Sequence, residues 1–75
     1  MNKFDIETAK RNLTGMVKVS FIFQPIRTMY VNVSDIVLLA NNRVRVATHK
    51  CAVSRIRSIV DGSEGTHPGE GHVEA

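Results

Sequence analysis

The sequence predicts an α+β fold: a short N-terminal helix, a four-stranded antiparallel sheet, a C-terminal helix and a disordered acidic tail. Three observations lead there. Apolar residues recur at helical spacing over residues 5–13, alternate with polar ones over much of residues 16–48, and return to helical spacing over residues 51–60. Seventy-five residues, 43% of them hydrophobic, leave room for one small domain, assigned to residues 1–61, with a Gly- and acid-rich tail over residues 62–75. A chain of this size buries only about 60% of its unfolded surface, so a partner or a homodimer would add needed stability.

In the first segment Asp5 and Glu7 precede Lys10 and Arg11, which suits the helix dipole, and Ile6, Ala9 and Leu13 form one apolar stripe that ends at Gly15. Residues 16–23 read as a strand, with Val17, Val19, Phe21 and Phe23 on one face and Lys18 and Ser20 on the other. Pro25 lacks a backbone donor and closes it. Residues 28–33 form the second strand, presenting Met29, Val31 and Val33 to the core. After the turn-forming pair Ser34–Asp35, residues 36–40 and 43–48 read as a hairpin closed by Asn41 and Asn42, which tolerate left-handed backbone.

A two-residue loop sets Leu39 opposite Val44 and Val37 opposite Val46, so those four side chains would face inward together. Ile36, Leu38, Ala40, Arg43, Arg45 and Ala47 would then share an outer face that mixes apolar patch with guanidinium. Ala52, Val53, Ile56, Ile59 and Val60 predict the second helix, ending at Gly62. The alternative there, a fifth strand with Val53, Arg55, Arg57 and Ile59 on one face, is the poorer pattern. The expected core is Val17, Val19, Phe21, Phe23, Val31, Val33, Val37, Leu39, Val44, Val46, Ile56 and Ile59. No internal repeat is evident.

Charge is distributed unevenly. The net +3 conceals a segment, residues 10–57, with nine bases and the single acid Asp35, whereas Asp61, Glu64, Glu70 and Glu74 make the end of the chain acidic. Solvated surfaces normally intersperse both signs, yet acids are missing from residues 36–60. Leu38, Arg43, Arg45, Lys50, Arg55 and Arg57 are therefore the expected binding residues, directed at a polyanion or at an acidic protein surface. Tyr30 is the only Tyr or Trp, a poor platform for a single strand, and reads as a half-buried core residue.

Catalytic chemistry finds little material. His49 and Cys51 lie two apart, but a structural zinc takes four ligands and a catalytic thiol needs a base and oxyanion donors, so the pair reads as chance. No glycine-rich phosphate loop is present, and Asp35 lacks a second carboxylate in its neighbourhood. One cysteine gives no disulfide framework, and the longest apolar run, residues 36–40, is far too short for a membrane span. The expectation is a cytoplasmic protein without metal, cofactor, enzyme activity or membrane association.

The stretch Tyr30-Val31-Asn32-Val33-Ser34-Asp35-Ile36-Val37-Leu38-Leu39, followed by Arg43-Val44-Arg45-Val46-Ala47-Thr48, resembles the strand pairs of LytTR-type DNA-binding domains. Those domains are longer than this whole sequence, and no residue role is carried over from them. The sequence thus leads to a small regulatory protein, of a kind often encoded by phages or mobile elements, that binds stoichiometrically to a nucleic-acid-handling machine such as RNA polymerase in a transcription complex. The second reading is a module that binds DNA or RNA directly through its basic face.

Overall fold

A computed structural model of the protein describes residues 1–62. Helix α1, Lys3–Asn12, is the expected N-terminal helix but begins two residues earlier than the apolar spacing over residues 5–13 suggested, at a cap that spacing did not reveal. Asn2 accepts the Asp5 backbone N–H at 2.8 Å while the Asp5 carboxylate accepts the Asn2 N–H at 3.3 Å, a reciprocal cap that satisfies two donors of the first turn. The helix ends at Leu13, and Gly15 follows at φ +73° to turn the chain into β1, Met16–Phe21. The remaining strands are β2, Thr28–Asn32; β3, Ile36–Leu39; β4, Arg43–Val46; β5, His49–Ala52; and β6, Ile56–Asp61. Two single-turn 3-10 corners, Val33–Asp35 and Val53–Arg55, join β2 to β3 and β5 to β6.

The strands form two three-stranded antiparallel sheets, β2-β1-β6 and β3-β4-β5, and the chain crosses between them at the two corners. Their apolar faces enclose one core of Val17, Val19, Phe21, Val31, Ile36, Val44, Val46, Cys51, Val53, Ile56 and Ile59, to which α1 adds the fully buried Ile6. Met1, Ala9 and Leu13 pack against the same cluster. No helix among the described residues is long and apolar enough to cross a membrane.

This architecture corrects the expected one. In place of a four-stranded sheet and a C-terminal helix there are two three-stranded sheets, and residues 49–61 are strand, corner and strand, with no C-terminal helix among the described residues. The misleading period has a physical origin. Cys51 and Val53 are buried two apart, as strand residues are, but the 3-10 corner places the next inward residue, Ile56, three positions on. An irregularity in the β1–β6 pairing between Ser20 and Phe21 then makes Ile59, another three on, the next. A strand interrupted twice in this way imitates a helix stripe.

The hairpin register also differs by one residue. Ile36 pairs with Val46 and Leu38 with Val44, so Ile36 and Leu38 take the inward places assigned to Val37 and Leu39. The loop has three residues, Ala40 to Asn42, with Asn41 at φ +60° and Asn42 at φ +56°. Register is fixed from the far end as well, because the Ala47 N–H donates to the Asp35 carbonyl at 2.9 Å and holds the start of β3 against the end of β4. A one-residue slip exchanges every side chain between faces.

Phe23, placed in the core by alternation, is 84% exposed, because β1 ends at Phe21 and Phe23 turns to φ +58°. At the other end Gly62, expected to stop a helix and begin the tail, is buried and extends the β6 side of the sheet, donating its N–H to the Met16 carbonyl at 3.0 Å. A Cβ there would sit 3.0 Å from that same oxygen. The rest of the expected tail, residues 63–75, lies outside the described residues.

Candidate binding surfaces

The outer face of β3-β4-β5 is built by alternation from residues between the buried ones. Val44, Val46 and Cys51 point inward, so Arg43, Arg45, Lys50 and Ala52 point outward. Cross-strand pairing arranges them in two rows, Val37–Arg45–Lys50 and Leu39–Arg43–Ala52. Arg43 and Lys50 are exposed, while Arg45 is half-buried between its neighbours. The Nε of Arg45 is shielded from solvent without a hydrogen-bond partner, so part of that guanidinium is already desolvated. No acid occurs on β3, β4 or β5, and the face is therefore of a single sign.

The structure does not bring all the expected site residues together. Leu38 leaves the surface: the register slip turns it inward, where it is half-buried and packs against the core. Arg55 sits in the second corner, its carbonyl accepting the Ile22 N–H at 2.8 Å and its guanidinium lying 5.6 Å from the centre of the Phe23 ring. Arg57 is exposed on β6 and borders a groove of about 750 Å³, together with Arg27, Ser20 and residues 22–25 of the loop. The basic residues thus fall into two groups, Arg43, Arg45 and Lys50 on one sheet, and Arg27, Arg55 and Arg57 around the β1–β2 loop.

That loop was invisible to sequence periodicity. Alternation carried Phe23 inward, and the signal that could have stopped it was Gln24-Pro25, since a proline two residues later leaves Phe23 little room to remain in a ladder. His49 and Gln24 brace the loop from the second sheet: the His49 ring Nε2–H donates to Gln24 Oε1 at 3.2 Å, and the imidazole stands edge-on to Phe21 at 5.4 Å between centroids. His49 therefore serves packing and hydrogen bonding. Tyr30 is half-buried opposite Lys18 on the first sheet.

Cys51 is buried, and burial pushes its thiol above the ordinary value, partly offset by the positive fields of Arg43 and Arg55. A thiol held protonated and away from solvent is poorly disposed as a nucleophile. Among the described residues no three of His, Cys, Asp and Glu gather as a metal site would require.

The fold and these surfaces define a small two-sheet α+β domain with two groups of basic residues, one on the outer face of β3-β4-β5 and one around the β1–β2 loop. No protein-family model matches the chain. No curated protein and no solved structure matches it either.

Proposed function

We propose that the protein is a non-catalytic regulatory module that binds stoichiometrically to a nucleic-acid-handling machine in the cytoplasm, such as a transcription complex built on RNA polymerase. It modulates that machine by occlusion or remodelling. The observation that supports this reading is the acid-free outer face of β3-β4-β5, where Arg43, Arg45 and Lys50 stand in adjacent rows with half-buried Val37 and Leu39 beside them. Guanidinium and ammonium groups on one sheet face suit the phosphates such a machine carries, and the apolar neighbours suit its protein surface. The buried, proton-retaining Cys51 gives no support to thiol catalysis.

The test is capture of the machine by the full chain before and after nuclease treatment. Recovery of an identified nucleic-acid enzyme in about equal stoichiometry after nuclease supports the regulator, and no recovery under either condition sinks it. Direct binding to DNA or RNA is the second reading, favoured by the same single-sign face. It predicts recovery that nuclease abolishes, and affinity for arbitrary duplex that falls steeply with salt. Arg43→Ala with Lys50→Ala, both exposed, would then flatten the slope of log K against log salt by about 0.9 for each lost phosphate contact.

A further inference from the structure

The β1–β2 loop displays what a soluble domain normally hides. Phe23 is 84% exposed, Ile26 is 37% exposed, and Pro25 between them is exposed too. Phe23 also holds φ +58°, a left-handed backbone that a bulky side chain rarely adopts. The rest of the loop keeps it there. The Phe21 N–H donates to the Arg27 carbonyl at 2.9 Å and closes the loop, and the Ile22 N–H ties it to the second corner through the Arg55 carbonyl at 2.8 Å. Gln24 donates to the Phe23 carbonyl at 3.1 Å while accepting from His49. Arg55 lies 5.6 Å from the ring centre on one side, leaving much of the ring open to solvent. An exposed aromatic held by this many bonds to neighbouring elements is pre-organised for contact.

Beside it runs the groove of about 750 Å³ with Arg27 on one wall and Arg57 on the other chain segment that borders it. Acids on or beside this sheet lie at its far end: Asp61 pairs with Val17, and Asp35 follows the end of β2 that pairs with Met16, whereas the groove lies where Ser20 meets Thr28. Three arginines therefore surround an apolar tip with no carboxylate of this sheet near them.

We propose that the loop and groove dock an acidic peptide segment of a protein partner, one that sets an apolar side chain between carboxylates. The apolar side chain covers Phe23 and Ile26, and the carboxylates take Arg27 and Arg57. Aromatic and arginine residues clustered at a pre-organised tip are the usual composition of a protein-binding hot spot. A single strand of nucleic acid is the poorer occupant, because its bases need successive π-faces and Pro25 and Ile26 supply none. The residues that carry this surface differ from Arg43, Arg45 and Lys50, and the proposal goes beyond the regulator reading without resting on it.

The experiment uses the full chain and a fluorescein-labelled short peptide of alternating Glu and Leu, its Gln-for-Glu counterpart, and a short oligo(dT). Anisotropy gives affinity, and amide chemical-shift changes locate the contact. The Glu–Leu peptide is expected to bind with shifts centred on residues 20–28 and Arg57, and the Gln version about tenfold more weakly. Phe23→Gly, which suits the left-handed backbone and preserves the fold, is expected to weaken binding about tenfold, as is Arg27→Gln with Arg57→Gln. Arg43→Ala with Lys50→Ala leaves it unchanged. Absence of peptide binding overturns the proposal, as do binding indifferent to the Phe23 and arginine variants, shifts centred on β3-β4-β5, or tighter Phe23-dependent binding of oligo(dT). Because none of these readouts involves the captured machine or the duplex salt slope, failure here leaves the regulator reading standing, and the reverse holds.

Discussion

The two corners of the fold, Val33-Ser34-Asp35 and Val53-Ser54-Arg55, adopt the same backbone twenty positions apart and are stabilised differently. Each is entered through an extended residue, Asn32 at φ −71° or Ala52 at φ −70°, and closed by an isoleucine, Ile36 or Ile56, that is fully buried. In each the valine N–H donates to a carbonyl just before a central strand, Gly15 for Val33 and Asn42 for Val53. In each the third carbonyl accepts an N–H from the loop that follows a central strand, Ala47 to Asp35 and Ile22 to Arg55. The sheets correspond under the same exchange: β1 and β4 are both central, and Val31 and Cys51 occupy matching inward places.

The differences lie in what holds each corner. The first is capped locally, with Asn32 Oδ1 accepting both the Ser34 N–H at 3.0 Å and the Ser34 hydroxyl at 2.9 Å. The second has no side-chain cap, but its Val53 is only 4% exposed, and the Met1 ammonium donates to the Ile56 carbonyl at 2.7 Å. A corner of this shape thus needs its two loop hydrogen bonds and its isoleucine, whereas the remainder can come from a local cap or from tertiary burial. The third position then becomes available for other use: Asp35 in one corner, Arg55 over Phe23 in the other.

The equivalence breaks most visibly at the isoleucines. Ile36→Ala and Ile56→Ala are each expected to lower the unfolding free energy by about 2–5 kcal/mol, enough to threaten a domain this small, and urea denaturation of the two variants should agree. A large cost at only one of them would end the comparison. The caps should differ in the opposite way: Asn32→Ala costs about 1 kcal/mol, and Ala52→Asn, which offers the second corner the same acceptor, gains at most about that amount. Thermal denaturation measures both.

The smallest effect belongs to the matched pair Val31 and Cys51. The Cys51 thiol is raised in the folded protein, so its contribution to stability is complete below the ordinary thiol value of 9.0 and is lost as pH climbs from there through the folded value. Cys51→Val, which copies the first unit, should change stability at neutral pH by about 1 kcal/mol or less and should remove this alkaline decline. A decline that persists in the variant would assign it to another group.

The helix was legible because its signals are local: acids precede bases along it, and Ile6, Ala9 and Leu13 share one face, whereas the Asn2–Asp5 cap emerged only from the structure. The first strand up to Phe21 was legible for a similar reason, its alternation being matched by burial at Val17, Val19 and Phe21. The corner at Ser34–Asp35 was read as a turn, but its twin at Ser54–Arg55 was not, because Ala52 and Arg55 carry none of the polar turn chemistry of Asn32 and Asp35. Among the candidate site residues, Arg43, Arg45 and Lys50 were found by charge and remain together. Leu38 was lost to a one-residue register change, and Phe23 and Arg27 were missed because a loop that leaves its ladder early has no period.

By itself, then, the sequence determined the helix, the alternating strands and an acid-free run of bases, all of which depend on neighbours along the chain. Tertiary structure decided the hairpin register, the replacement of the second helix by strand, corner and strand, the exposure of Phe23 and the gathering of Arg27, Arg55 and Arg57 around the β1–β2 loop. Each of those depends on hydrogen bonds between distant segments, Asp35 with Ala47, Asn42 with Val53 and Arg55 with Ile22, and a local pattern holds no record of which distant carbonyl an N–H will meet.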